Sequence, residues 1–127
     1  MRFSVATGMV VALLTLASAA TAKPVVTPLA PVPGECLPDS CVKGGIVTLQ
    51  PGDRVGEHTH RQQTIVTVID GELTLVEGAK TRVISAHQAA IEPSTVPHHA
   101  ENRSQAPVTF IFTTVTGKDM PAFDPAP

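Results

Sequence analysis

Three histidines have the type and spacing to hold a metal. His58 and His60 form an H-x-H pair in the segment EHTH, and His98 follows in VPHH after a long intervening stretch. Alternate side chains of a β-strand point to one face, so such a pair sets two imidazoles side by side. A third histidine returning from a distant strand completes a facial triad. Imidazole suits zinc, copper, iron and nickel, and the expectation is a three-histidine metal site in a β-fold. His99 should point away from His98 on an extended segment, and becomes a ligand only if the register slips by one. His87 reads as a turn residue. Glu57 and Glu92 are the nearest candidates for a general acid or base, and the parity of Glu57 beside His58 favours solvent. No Tyr, no Lys and no inward carboxylate is evident on the core strands. Arg61 and Arg103 read as surface charges rather than anion clamps.

A triad of this kind needs strands to carry it, and the chain between residues 45 and 117 supplies them. IVTLQ (46–50) ends at Pro51-Gly52, and TIVTVI (64–69) ends at Asp70-Gly71, a two-residue hairpin signal. ELTLV (72–76) follows and ends at Glu77-Gly78. TRVIS (81–85), AAIE (89–92) and VTFIFTTVT (108–116) complete the set. Valine, isoleucine and threonine dominate, as a pleated sheet prefers, and no window beyond the N-terminal segment shows a sustained helical stripe. Short, evenly spaced strands predict an all-β sandwich or barrel. Beyond residue 22 there is no Trp or Tyr, and the only Phe residues are Phe110, Phe112 and Phe123, so the core must be aliphatic. A chain this small buries only about two-thirds of its unfolded surface. A disulfide, a metal or a homodimer that covers an exposed edge would each add stability.

The flanks read differently. MRFSVATGMVVALLTLASAATAKP has one positive charge, an apolar run from Val10 to Leu16 and an A-x-A step at Ala20-Thr21-Ala22. That is the pattern of a secretory signal peptide over residues 1–22, cleaved before Lys23. An uncleaved anchor is the alternative, but the apolar run is short against the ~20 residues of a membrane span. Without these residues eight basic side chains face eleven acidic ones, a formal charge of −3. The charges are scattered, with neither the clustered basic face of a nucleic-acid binder nor the cationic face of a membrane-surface helix. The destination is the periplasm or the medium. Residues 23–44 form a proline-rich lead-in, extended or irregular. It holds both cysteines, Cys36 and Cys41. An even count in an exported chain argues for a disulfide between them, with a thiolate metal pair the weaker alternative. The tail over 118–127 is again proline-rich and should fray or lie along the surface.

The stretch PGDRVGEHTHRQQTIVTVIDGELTL resembles the first motif of the cupin superfamily, in which a Gly precedes H-x-H, a Glu and a closing Gly at set intervals. Gly52, His58, His60 and Gly71 match, and Thr64 stands where the family places its glutamate. AHQAAIEPSTVPHHAEN is similar to the second motif: Pro93, His98 and Asn102 match, whereas His87 and Thr95 replace its two glycines. The resemblance spans residues 45–117 and implies a single-domain, antiparallel jelly-roll β-barrel with a metal at its centre. It makes His58, His60 and His98 the ligands of a divalent transition metal, iron first, with manganese, nickel, copper or zinc as alternatives. Strand parity still points Thr64 inward, so a hydroxyl replaces a carboxylate and leaves a position for water or substrate. Gln62 has the same parity and would donate a hydrogen bond to a ligand or substrate.

Cupins include dioxygenases, isomerases, epimerases, decarboxylases, lyases and storage proteins, and fold does not choose among them. The three-histidine variant resembles the non-haem iron dioxygenases that cleave diketones or oxidise thiols. With few acids and bases available, chemistry that leans on the metal is less demanding than an isomerase or lyase reaction. The competing expectation is a non-enzymatic module that binds a metal or a small apolar ligand. In either case the partner is a small molecule.

Overall fold

The computed structural model describes residues 23–29 and 36–126, so the signal-peptide reading of 1–22 lies outside the described residues. Ten strands follow one another: β1 (Val25–Pro28), β2 (Ser40–Leu49), β3 (His58–Thr59), β4 (Thr64–Asp70), β5 (Glu72–Glu77), β6 (Lys80–Ser85), β7 (Ala89–Glu92), β8 (His98–Glu101), β9 (Val108–Gly117) and β10 (Asp124–Pro125). There is no helix among the described residues, and none long and apolar enough to cross a membrane. The strands form two five-stranded sheets, ordered β1-β2-β9-β4-β7 and β10-β3-β8-β5-β6. All pairings are antiparallel, and the two sheets enclose the interior of a jelly roll.

Alternation along each strand sends one set of side chains inward. Val47 and Leu49 from β2, Val66 and Val68 from β4, Leu73 and Leu75 from β5, and Val108 and Phe110 from β9 fill the core with Ile84 and Ala100. This is the aliphatic core that the composition demands, and each such side chain contributes roughly 1.5–3 kcal/mol by leaving water. The outward positions of the first sheet follow the same alternation and include Val42, Ile46, Ile65, Ile91, Ile111 and Val115. Apart from Asp70 at one corner they carry no charge.

One local expectation is corrected. Asp70-Gly71 does not close a hairpin: β4 pairs with β9 and β7, whereas β5 pairs with β6 and β8. Only Gly71 separates β4 from β5, too short a link for a two-residue turn, and the chain instead crosses from one sheet to the other. Gly71 adopts φ +82°, and a Cβ there would lie 2.5 Å from the Pro107 carbonyl oxygen, so the corner requires glycine. The tight hairpin lies at Gly78-Ala79, where Glu77 pairs with Lys80 and Gly78 takes φ +57° at the first central position.

The proline-rich flanks are extended where they are described, and each adds an edge strand. Val25–Pro28 pairs in register with Gly45–Thr48 of β2, and Asp124–Pro125 pairs with β3. Both are edge strands, where proline costs no ladder hydrogen bond. Cys36 and Cys41 form the expected disulfide, with a Cα–Cα distance of 4.5 Å, at the entry to β2.

Candidate metal centre

The second sheet delivers the histidines. His58 of β3 and His98 of β8 are direct cross-strand partners, so their rings share the inner face with centroids 4.5 Å apart. His60 follows β3 and places its ring 4.9 Å from that of His58 and 5.0 Å from that of His98. All three are buried. The triad expected from spacing therefore assembles in space.

Each ring is held in one tautomer by a backbone carbonyl. His58 Nδ1 donates to Gly56 O at 2.8 Å, His98 Nδ1 to Val96 O at 2.7 Å, and His60 Nδ1 to Ala122 O at 2.9 Å. Carbonyls only accept, so Nδ1 carries the proton and Nε2 is left facing the interior, the arrangement that metal-binding histidines use. His98 Nε2 is the clearest case: it is a fully buried lone pair with no hydrogen-bond partner. Burial pushes the His58 pKa below the usual histidine value, and repulsion from His98 and His60 lowers it further. A neutral ring is the form that coordinates a metal.

The first sheet contributes a carboxylate that the sequence reading did not expect to point inward. Glu92 of β7 is buried, and its Oε2 lies 3.0 Å from His60 Nε2 and 3.8 Å from His98 Nε2. Burial opposes a charge on His60, but the Glu92 hydrogen bond, the Ala122 carbonyl and the attraction of Glu92 outweigh it and raise the His60 pKa. Without an ion the Glu92 contact favours the charged form of the ring. The donor atoms of His58, His60, Glu92 and His98 all lie within 4.8 Å of one another. Bonds of 2.0–2.2 Å would set opposite ligands about 4.3 Å apart, so a small contraction around an ion suffices. Four buried donors, three with their outer nitrogens already satisfied, fit a divalent metal.

Glu92 stands directly across from Thr64, where the resemblance implies a glutamate. Thr64 and Glu92 are cross-strand partners on adjacent β4 and β7, both inward and both buried. A carboxylate on β7 thus faces a hydroxyl on β4, and Thr64 Oγ1 is left buried without a hydrogen-bond partner. The missing signal was the β4–β7 register: Glu92 sits immediately before Pro93 in the second motif, but nothing local says which strand it faces.

Other candidates fall elsewhere. Gln62 is exposed and does not join the cluster, because the chain bends between β3 and β4 and strand parity does not carry across the bend. Glu57 is exposed. His99 points away from His98 and lies 3.7 Å from Glu101, while Arg61 and Arg103 make surface pairs with Asp124 and Glu101. His87 and Thr95, which replace the motif glycines, have φ of +67° and +66°. That left-handed region costs side-chain-bearing residues energy, most of all a β-branched one. Arg82 reaches from β6 to the Glu77 carboxylate and to the Ile91 carbonyl at 2.8 Å, tying β7 to the second sheet one residue from Glu92.

The donors open into a cavity of about 100 Å³. His58, His60 and Glu92 form its polar end, and Val47, Val55, Phe110, Phe112 and Phe123 form most of its apolar wall. No lysine or arginine lines it.

A jelly roll with inward histidines at these positions defines a cupin. The sequence matches the family model described as "Cupin domain" over residues 45–114, and the chain belongs to that family. Similar solved structures include a conserved protein with a double-stranded β-helix domain from Klebsiella pneumoniae, 21% identical, covering 84% of this chain and 89% of its own, with a TM-score of 0.64. A cupin superfamily protein from Desulfitobacterium hafniense is 13% identical, with coverage of 77% and 82% and a TM-score of 0.62. A Cupin 2 conserved barrel domain protein from Salinispora arenicola is 21% identical, with coverage of 84% and 88% and a TM-score of 0.61. A search of curated proteins gives no match.

Proposed function

We propose that this is an exported metalloprotein that binds one divalent transition metal, iron foremost, and carries out dioxygenase-type oxidation of a small, largely apolar molecule. The observation that carries the reading is a cluster of four buried donors, three of which (His58, His60 and Glu92) line a cavity whose remaining wall is apolar. A redox-active ion bound there would supply Lewis acidity and electrons for oxygen chemistry. The chain's own part is to hold and to exclude. Three Nδ1–carbonyl hydrogen bonds fix the imidazoles, Glu92 supplies one negative charge, and Phe110, Phe112 and Phe123 keep water from the site. Four protein donors leave room in an octahedral shell for a substrate oxygen or sulfur and a second small molecule. The absence of a lysine or arginine in the wall favours substrates whose polar head is met by the metal itself.

The test is oxygen uptake by iron-loaded protein with a panel of small β-diketones and small thiols. Uptake that disappears in His98→Ala supports the reading, and iron-loaded protein that consumes no oxygen with either class overturns it. Glu92 supports a second reading, a metal-dependent lyase or isomerase, because a carboxylate at the cavity wall is a base that such chemistry needs. Turnover of an enolisable substrate in the absence of oxygen would favour it. Export is supported by the signal pattern over residues 1–22 and by the disulfide. N-terminal sequencing of the mature protein should begin at Lys23.

A further inference from the structure

We infer that the C-terminal segment 118–126 is a latched cover that completes the metal centre, and that small molecules reach the ion by passing beneath it. The inference rests on the metal-site reading above. His58 and His98 take their orienting carbonyls from Gly56 and Val96, each two residues earlier in the chain. His60 takes its own from Ala122, 62 residues away. The aim of the third imidazole therefore depends on docking of this segment, whereas the other two are set locally.

The same segment roofs the cavity. Phe123 lies edge-on to His58 at 5.5 Å and to Phe112 at 6.5 Å, and is 48% exposed on its other side. Phe123 thus lies between His58 and solvent on this side. Latches hold the segment at both ends. Lys43 Nζ donates to the carbonyls of Lys118, at 2.8 Å, and Met120. Arg61 makes two hydrogen bonds to Asp124 at 2.8 and 3.2 Å, and Ala126 N donates to Glu57 O at 3.2 Å. Between the latches the only ladder is the two-residue pairing of β10 with β3. Short, exposed pairings open at far lower free energy than a core strand. Opening the cover releases the Ala122 carbonyl and lifts Phe123 together, so substrate access and the hold on His60 are coupled.

The experiment uses Mn²⁺ as probe, with affinity from chelator competition and water access from proton relaxation of the loaded protein. Variants are a chain ending at Met120, Phe123→Ala, Phe123→Leu and Arg61→Gln, with folding checked by far-UV circular dichroism. The shortened chain should bind Mn²⁺ 10–100-fold more weakly, the usual effect of losing a ligand's orienting partner. Phe123→Ala should raise water relaxation with affinity changed less than about threefold, and Phe123→Leu should restore the closed value. Should the shortened chain fail to fold, Arg61→Gln decides, with faster relaxation and weaker binding expected. Variants that bind and relax water as the full chain does overturn the inference. A full chain that binds neither Mn²⁺ nor Zn²⁺ instead overturns the metal site itself, a distinguishable result.

Discussion

Replacing Glu92 by Gln tests whether the carboxylate from β7 serves the metal site in place of a carboxylate at residue 64. The change keeps shape and removes one negative charge from a site where Oε2 lies 3.0 Å from His60 Nε2. As a metal ligand the carboxylate would attract a divalent ion by at least the energy of a charge-assisted contact, about 1.5–3 kcal/mol, and at 1.36 kcal/mol per tenfold its loss should weaken metal binding by roughly 10–150-fold. The complementary perturbation is the exchange Thr64→Glu with Glu92→Thr. The two positions are direct cross-strand partners, so their Cβ atoms lie about 4.5–5.5 Å apart, within the reach of a glutamate side chain. The exchanged protein should recover affinity to within about tenfold of the parent, while Glu92→Thr alone stays weak. Chelator competition with Zn²⁺ and Mn²⁺ at pH 7 measures all four proteins. Glu92→Gln binding both ions as tightly as the parent would refute the argument and leave the three histidines as the whole site.

Three further outcomes follow from the structure. The raised His60 pKa gives the metal-free protein stability that is fully present below the unfolded value of about 6.5 and is lost as pH rises through the folded value. The lowered His58 pKa acts in the opposite sense below about 6.5, where folding is penalised until the unfolded ring loses its proton. Urea unfolding with chelator present should therefore find the histidine contribution largest near pH 6.5, and His60→Gln should remove the decline above it. Thr95→Gly relieves a left-handed β-branched residue at φ +66°. About 1–2 kcal/mol of strain, less about 0.4–1 kcal/mol of added unfolded-state entropy, predicts a gain of up to about 1.6 kcal/mol in the same assay. The uncharged outer face of the first sheet, with Ile65 51% and Ile91 54% exposed and paired in register, suits a second copy of the chain, since an apolar face of this kind seldom stays open to water. Light scattering should give a dimer, and Ile65→Lys with Ile91→Lys a monomer.

The spacing of His58, His60 and His98 was legible because period-two alternation and the two cupin motifs act locally, and β3 and β8 pair His58 with His98. Fold class was legible for the same reason: the runs at 64–69, 72–76, 81–85, 89–92 and 108–116 all lie within strands, and the run at 46–50 overshoots β2 by one residue. His87 and Thr95 in place of motif glycines also marked two backbone positions that prove to be left-handed. Gln62 misled because parity was carried across a bend, and Asp70-Gly71 because a dipeptide signal cannot tell a hairpin from a crossing between sheets.

What the sequence by itself determined were the quantities that depend on neighbours a few residues apart: strand alternation, the aliphatic core, the histidine face and the cysteine pair. What only the tertiary structure decided were contacts whose partners lie far along the chain. The β4–β7 register set Glu92 opposite Thr64, and the docking of β10 brought the Ala122 carbonyl to His60. Both depend on which edges meet when the two sheets close, and that choice is made by burial of the whole interior rather than by any local pattern of residues.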